Sequence, residues 1–197
     1  VALAFLTPEI LAIDPATLDG WLATYPYLAL YRHELADVVR ARPYVRSAEI
    51  EGVLAGAGEI AQAPAKVFTM FDNADLRLPT VTDGAGTTHQ LTRGNYGVFM
   101  QSADGVLRRA AFDGMHQTFR DHENMLAATF AAHVKARIFS ARQHHYPSTL
   151  DAALDPHNIP TSVYTNLVAT VGGAGLPALA RYLDLRKRVL GVAELRY

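Results

Sequence analysis

ADLRLPTVTDGAGTTHQLT, residues 74–92, is the stretch on which the fold of this chain turns. It alternates in character, is rich in Thr with Val81 among them, and carries Asp83-Gly84 at its centre. Alternation predicts strands with one face buried, and an Asp-Gly pair between them predicts a β-hairpin. Pro79 suits an edge strand, because proline has no N–H to give to a ladder. No other stretch reads this way, so the choice is between a β-protein with a weak pattern and a helical one with a single hairpin. The flanks decide it.

On both sides the apolar period is helical. Thr7-Pro8 and Asp14-Pro15 each pair a side-chain acceptor with a preset φ, which is how helices start. Residues 27–42 place Tyr31, Leu35, Val38 and Val39 on one helix face, and Pro43 ends the run. Ser47 predicts the cap of the next helix, in which Ile50, Val53, Leu54, Ala57 and Ile60 follow the i, i+3, i+4, i+7 rule. Glu49 and Glu51 occupy its first turn, where the helix dipole favours carboxylates. Gly52, Gly56 and Gly58 weaken it and predict a close approach by another helix. A short helix is expected over 64–71. After Ser102, one long helix or two consecutive ones reach about residue 143. Asp155-Pro156 and Ile159-Pro160 mark later starts, residues 172–175 predict a glycine turn, and a last helix covers 177–190 with Gly191 closing it. The expected fold is mainly α: one multi-helix unit over 1–197 with a small antiparallel β-hairpin at 74–92.

Composition narrows the function. The chain has 197 residues, half of them apolar, and a net charge of −1. It is long enough for a core, and there is no basic field that would suit nucleic acid. The absence of Cys excludes thiol nucleophiles, disulfides and thiolate metal sites. The opening VALAFLTPEI has no basic region of the kind a targeting peptide carries. The longest uncharged run, residues 159–180, has the length of a membrane span but holds two Pro and three Gly, so a buried helix, a turn and a second helix are expected instead, with no membrane partner.

Four local patterns invite a chemical reading. HELAD (33–37) opens like the zinc-peptidase motif His-Glu-x-x-His, in which two His one turn apart reach one metal, but Asp37 stands in the second position. Arg40 lies at i+3 from Asp37 and already explains the acid. HENML (122–126) has Leu126 where the second His would be. On the same run Asp113 and His116 could meet at i+3, whereas His122 and His133 are roughly 16 Å apart along a helix axis. RQHHYPS (142–148) gathers Arg142, His145 and Tyr146 at a helix end; cationic groups are favourable there, and the same residues could form a polar edge that meets substrate. RYLDLRKR (181–188) reads as a solvated face. Spacing alone proposes no catalytic residue and no metal ligand in this chain.

The order of the punctuation is nevertheless distinctive. The final third, ARQHHYPSTLDAALDPHNIPTSVYTNLVATV followed by LARYLDLRKRVLGVAELRY, closely resembles the N-terminal half of oligoendopeptidase F and related thimet-oligopeptidase-type zinc metallopeptidases. Their pattern is met by Ser148, Ala152, Ala153, Leu154, Asn158, Ile159, Pro160, Val163, Tyr164 and Leu167, and then by Arg181, Tyr182, Leu185, Arg186, Lys187, Leu190 and Gly191. Upstream, FLTPEIL (5–11), the hairpin stretch and the long helix after Ser102 fall in the same order. The resemblance covers essentially the whole chain.

That resemblance implies a piece of a larger, largely helical peptidase that cuts internal bonds of short oligopeptides. Its Zn would be held in a C-terminal catalytic half that these 197 residues do not include, so no metal is expected on this chain. Family members carry His-Glu-x-x-His in that half, far downstream of HELAD. The chain stops in mid-pattern at Leu195-Arg196-Tyr197, as a fragment would. It is expected to form part of the wall of a substrate channel in a cytoplasmic enzyme. Arg77 and Arg93, at the ends of the hairpin, are candidates for steering peptide carboxylates, with Arg142, His145 and Tyr146 as further channel candidates. Its expected partners are the oligopeptide substrate, the catalytic half and, through apolar surface left bare, a second copy of itself. A stand-alone helical binding module without catalytic function is the alternative.

Overall fold

The computed structural model describes residues 6–195, with side chains from Glu9 onward; the side chains of Thr7 and Pro8, on which the first start signal rests, and the terminal Arg196-Tyr197 fall outside that description. The fold is mainly helical with a single two-stranded antiparallel sheet among the described residues. The chain divides into two compact units: residues 1–61 with 134–168, and residues 62–133 with 169–197.

The first unit begins with α1 (Leu6–Ala12) and α2 (Pro15–Thr24), the latter capped by Asp14, which accepts from the Thr17 N–H at 3.2 Å. A 3-10 turn over Pro26–Tyr31 leads into α3 (Arg32–Ala41). Pro43 breaks that helix as predicted, leaving a 3-10 turn over Arg42–Tyr44. α4 (Ala48–Ala61) starts behind Ser47, and Glu51 in its first turn reaches back to accept from the Arg46 N–H at 2.7 Å. The unit is completed by the end of α8 (Glu123–Gln143), α9 (Thr149–Leu154) and the start of α10 (Thr161–Thr170). Arg42 pins α1 to the end of α3 by donating to the Ile13 carbonyl at 3.1 Å.

Several expectations for the helices are corrected. A side chain at Gly52, Gly56 or Gly58 would meet nothing within 4 Å, so these glycines admit no neighbouring helix among the described residues. The predicted buried stripe of α4 is open: Val53 and Ile60 are both exposed. Likewise residues 172–175 make no turn. None of those glycines takes a positive φ, and the segment Val171–Gly175 winds as one wide π-helical turn that runs directly into α11 (Leu176–Leu190). Thr161–Leu190 is therefore one continuous run, long and apolar enough by length and composition to cross a membrane, and it is unburied over its most apolar window. The expectation that it is a buried helix fails as it does for α4: its apolar side chains are exposed among the described residues. Gly191 closes α11 at φ 63°, the left-handed position that favours glycine.

The second unit holds the best-packed core. It contains α5 (Ala63–Met70), a π turn over Phe71–Asp75, β1 (Thr80–Thr82), β2 (Thr88–Gln90), α6 (Arg93–Met100), α7 (Gly105–Arg120) and the start of α8. Thr80 pairs with Gln90, Val81 with His89 and Thr82 with Thr88. Val81 from β1, Leu91 just after β2, and Leu107 and Ala111 from α7 form a continuous buried cluster, with Tyr96, Phe99 and Met115 packed around it. The helix approaches so closely because position 114 is glycine: a Cβ there would stand 3.0 Å from the Pro79 ring.

The hairpin forms where predicted, but by another turn. Asp83-Gly84 is not a two-residue turn. Asp83 Oδ1 accepts from the N–H groups of Ala85 (3.0 Å) and Thr87 (2.8 Å), and Gly86 rather than Gly84 takes the positive φ. The Gly84 N–H is held by Asp104, the N-cap of α7, at 2.6 Å.

Candidate functional site

The hairpin stands at one candidate site. Its open end carries a groove of about 590 Å³, lined by Arg77, Leu78, Gln90, Leu91 and Arg93 together with Asp72. The sequence nominated Arg77 and Arg93, and the structure brings both to this groove. Their states differ. Arg93 is the first residue of α6, fixed by a reciprocal cap in which Thr92 accepts from the Asn95 N–H (3.1 Å) and Asn95 accepts from the Thr92 N–H (2.7 Å). Its guanidinium is ion-paired to Asp72 and lies 5.8 Å over the Phe119 ring. Arg77 is exposed and has no hydrogen bond or ion pair among the described residues. The groove therefore keeps one uncommitted positive charge.

Gln90 shapes that groove. Pro79 sits opposite Leu91 at a hydrogen-bonded position of the ladder, where it accepts from the Leu91 N–H (3.1 Å) but has no N–H to return. The Gln90 side-chain amide fills the gap, donating to the Leu91 carbonyl at 3.0 Å and to the Leu78 carbonyl at 2.8 Å. At the other end, the hydrogen bond from His89 and the Thr87 N–H hold the Asp83 carboxyl below the usual carboxylate range. The two N–H groups of Gly84 and Val106 do the same for Asp104.

The first unit carries the other nominated cluster. Arg142, in the last turn of α8, is exposed with its guanidinium unpaired among the described residues. His145 follows in the left-handed conformation (φ 63°), and its Nδ1 accepts from Arg46 at 2.7 Å, which leaves the ring proton on Nε2. Tyr146 stacks on Tyr44 at 3.8 Å between centroids and donates its hydroxyl to Asp155 at 2.8 Å. Asp155 is also ion-paired to Arg40, which donates to Asp37 at 3.2 Å. Burial, followed by the Asp155 carboxylate, pushes the Tyr146 phenol well above its ordinary value. The Tyr146 hydroxyl is thereby committed to Asp155, and the network ties the end of α8 to the turn after α9. Spacing did not link Arg40 and Tyr44 to Tyr146, because they are about a hundred residues away in sequence and meet it only in the fold.

An apolar groove of about 400 Å³ in the second unit runs between Phe68 of α5 and Leu126 and Phe130 of α8. His133 is its only ionisable lining residue.

The family model for oligopeptidase F matches residues 9–77. Oligopeptidase PepF of Bacillus subtilis is 37% identical over 98% of the chain, and the group B oligopeptidase PepB of Streptococcus agalactiae is 36% identical over the same share. The crystal structure of oligoendopeptidase-F from Enterococcus faecium superposes on 96% of the chain with a TM-score of 0.87 at 39% identity. This chain is homologous to the N-terminal portion of oligoendopeptidase F. It spans 29% of the PepF length and 32% of the PepB length, and 36% of the oligoendopeptidase-F crystal chain.

The zinc expected from the family resemblance finds no donor set here. Among the described residues no three His, Asp or Glu side chains gather closely enough to ligate an ion. In HELAD, His33 pairs with Asp37 at 3.4 Å and Asp37 answers Arg40. In HENML, His122 donates to the Thr118 carbonyl at 2.8 Å and packs on Phe71. Asp113 and His116 do not meet: Asp113 turns to Arg109 (3.4 Å), and His116 donates to the Phe112 carbonyl (2.9 Å). These residues do not fit a zinc site.

Proposed function

We propose that this chain belongs to a cytoplasmic zinc oligopeptidase that cleaves internal bonds of short peptides, and that it serves as substrate-facing wall rather than as the catalytic part. The relatives named oligopeptidase are about three times as long, which leaves room in such proteins for a catalytic half carrying the metal. The observation that carries the wall reading is Arg77, an exposed and unpaired cation on a groove that also holds Leu76, Leu78, the Gln90 amide and the Arg93–Asp72 ion pair. A groove of that make-up suits a peptide: apolar walls for side chains, an amide for its backbone, and a positive charge for its carboxylate. Arg93, committed to Asp72, positions the groove; on the other unit, Arg142 offers a free guanidinium of its own.

The exposed apolar surface of α4 and of the 161–190 run fits burial against the catalytic half. Membrane insertion fits the run less well, because its second part carries Arg181, Asp184, Arg186, Lys187 and Arg188. In the longer protein, Arg77→Ala is expected to raise KM for short anionic peptides by about 2- to 5-fold, the worth of one exposed ion pair, with kcat unchanged. An unaltered KM for such peptides would refute the role of Arg77.

A further inference from the structure

The hairpin has a second property, which lies in its backbone. Leu91 donates to Pro79 and Asp83 donates to Thr87 (2.9 Å), so pairs 79/91 and 83/87 are hydrogen-bonded across the ladder. Bonded and non-bonded pairs alternate in an antiparallel ladder, which makes 81/89 bonded and 80/90 and 82/88 non-bonded. The N–H and C=O groups of Thr80 and Thr82 therefore point away from β2, and both residues are exposed. They find no acceptor or donor among the described residues. The opposite edge is not equivalent: on β2, the outward carbonyl of Gln90 is taken by Asn95 Nδ2 at 2.8 Å. Pro79, the usual device for blunting an edge, faces inward here and leaves the outer edge of β1 open.

We propose that the outer edge of β1 receives an extended oligopeptide as a third, antiparallel strand, with its free C-terminal carboxylate directed to Arg77. This inference rests on the peptide-handling reading above and specifies its geometry. Thr80 and Thr82 each offer one donor and one acceptor, a complement for two alternate residues of an extended peptide. Antiparallel addition is set by charge. A strand antiparallel to β1 runs out past Thr80 toward the hairpin's open end, where Arg77 is the unpaired cation, so the carboxylate end arrives there. Such a peptide needs about four to six residues to reach from Thr82 to Arg77 at roughly 3.4 Å per residue. The site reads backbone and terminus rather than sequence, because Thr80, Thr82, Thr88 and Gln90 give the solvent face of the sheet no apolar pocket.

The test follows the backbone amides of this 197-residue chain by NMR during titration with three pentapeptides of alanine and leucine. One has a free C-terminus, one a C-terminal amide, and one a free C-terminus but methylated backbone nitrogens. The free acid is expected to shift the Thr80 and Thr82 amides and slow their hydrogen exchange. The C-terminal amide should bind about 2- to 5-fold more weakly, and Arg77→Ala should erase that difference. The methylated peptide should lose the protection of Thr80 and Thr82. Shifts confined to other residues would overturn the strand while leaving peptide handling intact, and no shift anywhere would overturn both. Protection of Thr80 and Thr82 that appears without peptide and grows with protein concentration would assign the edge to a second copy of the chain and also overturn the proposal.

Discussion

Replacing Tyr146 by Phe removes one oxygen and leaves the ring. The hydroxyl donates to Asp155 at 2.8 Å, a hydrogen bond to a charged acceptor that is partly screened from water. Such bonds contribute about 1.5–3 kcal/mol. Asp155 keeps Arg40 as a partner in the variant, and the stack of ring 146 on Tyr44 persists, so the loss falls at the lower end, about 1.5 kcal/mol. For a chain of this size each kcal/mol moves Tm by roughly 2–4 °C, which gives a fall of about 3–6 °C. Thermal unfolding followed by circular dichroism reads this directly, and the same preparation supports an ultraviolet titration. The phenol's folded pKa is raised above 10.0. Its stabilising contribution is thus fully present below pH 10 and is lost as pH climbs through the raised value. The wild type should show one tyrosine that ionises later than the rest, and Tyr146→Phe should abolish that late step. A variant with unchanged Tm and an unchanged alkaline titration would refute the view that Tyr146 is locked onto Asp155.

Three further outcomes are expected. Asp83→Asn should loosen the hairpin: it weakens the acceptor that serves Ala85, Thr87 and His89, so amide exchange at Thr87 should quicken; because the Asp83 pKa is lowered from 3.8 in the fold, the wild-type turn should hold above that pH and loosen only as pH falls below it. Gly114→Val should destabilise the second unit by about 1–3 kcal/mol through overpacking, since even a Cβ would stand 3.0 Å from the Pro79 ring; a neutral result in denaturant melts would refute the close approach of α7. The isolated chain should self-associate through Val53, Ile60 and the apolar run 161–190, and strict monomer behaviour in light scattering across a concentration series would oppose that.

The fold was legible where local chemistry decides it. Asp14, Ser47, Pro43 and Gly191 each act within one helical turn, and each ends or begins a helix as its residue type requires. The hairpin was legible from alternation, but its turn was not. Asp83 chose the N–H groups of Ala85 and Thr87, and the partner that holds Gly84, Asp104, is far off in sequence. Residues 172–175 misled for the reverse reason: a glycine run permits a turn but does not compel one, and here it continues as helix. Of the nominated site residues, Arg77 and Arg93 share a groove because they bracket one hairpin, which is a local fact. The pairing of Arg93 with Asp72 depends on the π turn after α5, and nothing in the letters 71–75 announces it.

The distribution of buried side chains also bears on function. Leu91 and Ala111 are sealed under the hairpin, whereas Ile60, Val53, Leu167 and Val189 lie open to solvent at half or more of their surface. Burying an apolar side chain of that size is worth about 1.5–3 kcal/mol, so four of them left bare forgo an amount comparable to the stability of an ordinary domain. Such stripes fit the proposed burial against a catalytic half. The tight packing is concentrated around β1 and α7, where the core holds the hairpin without further support. Among the described residues, the hairpin that presents Arg77 and the open β1 edge is thus held by a packed core, which suits the rigidity that the proposed peptide-binding surface needs.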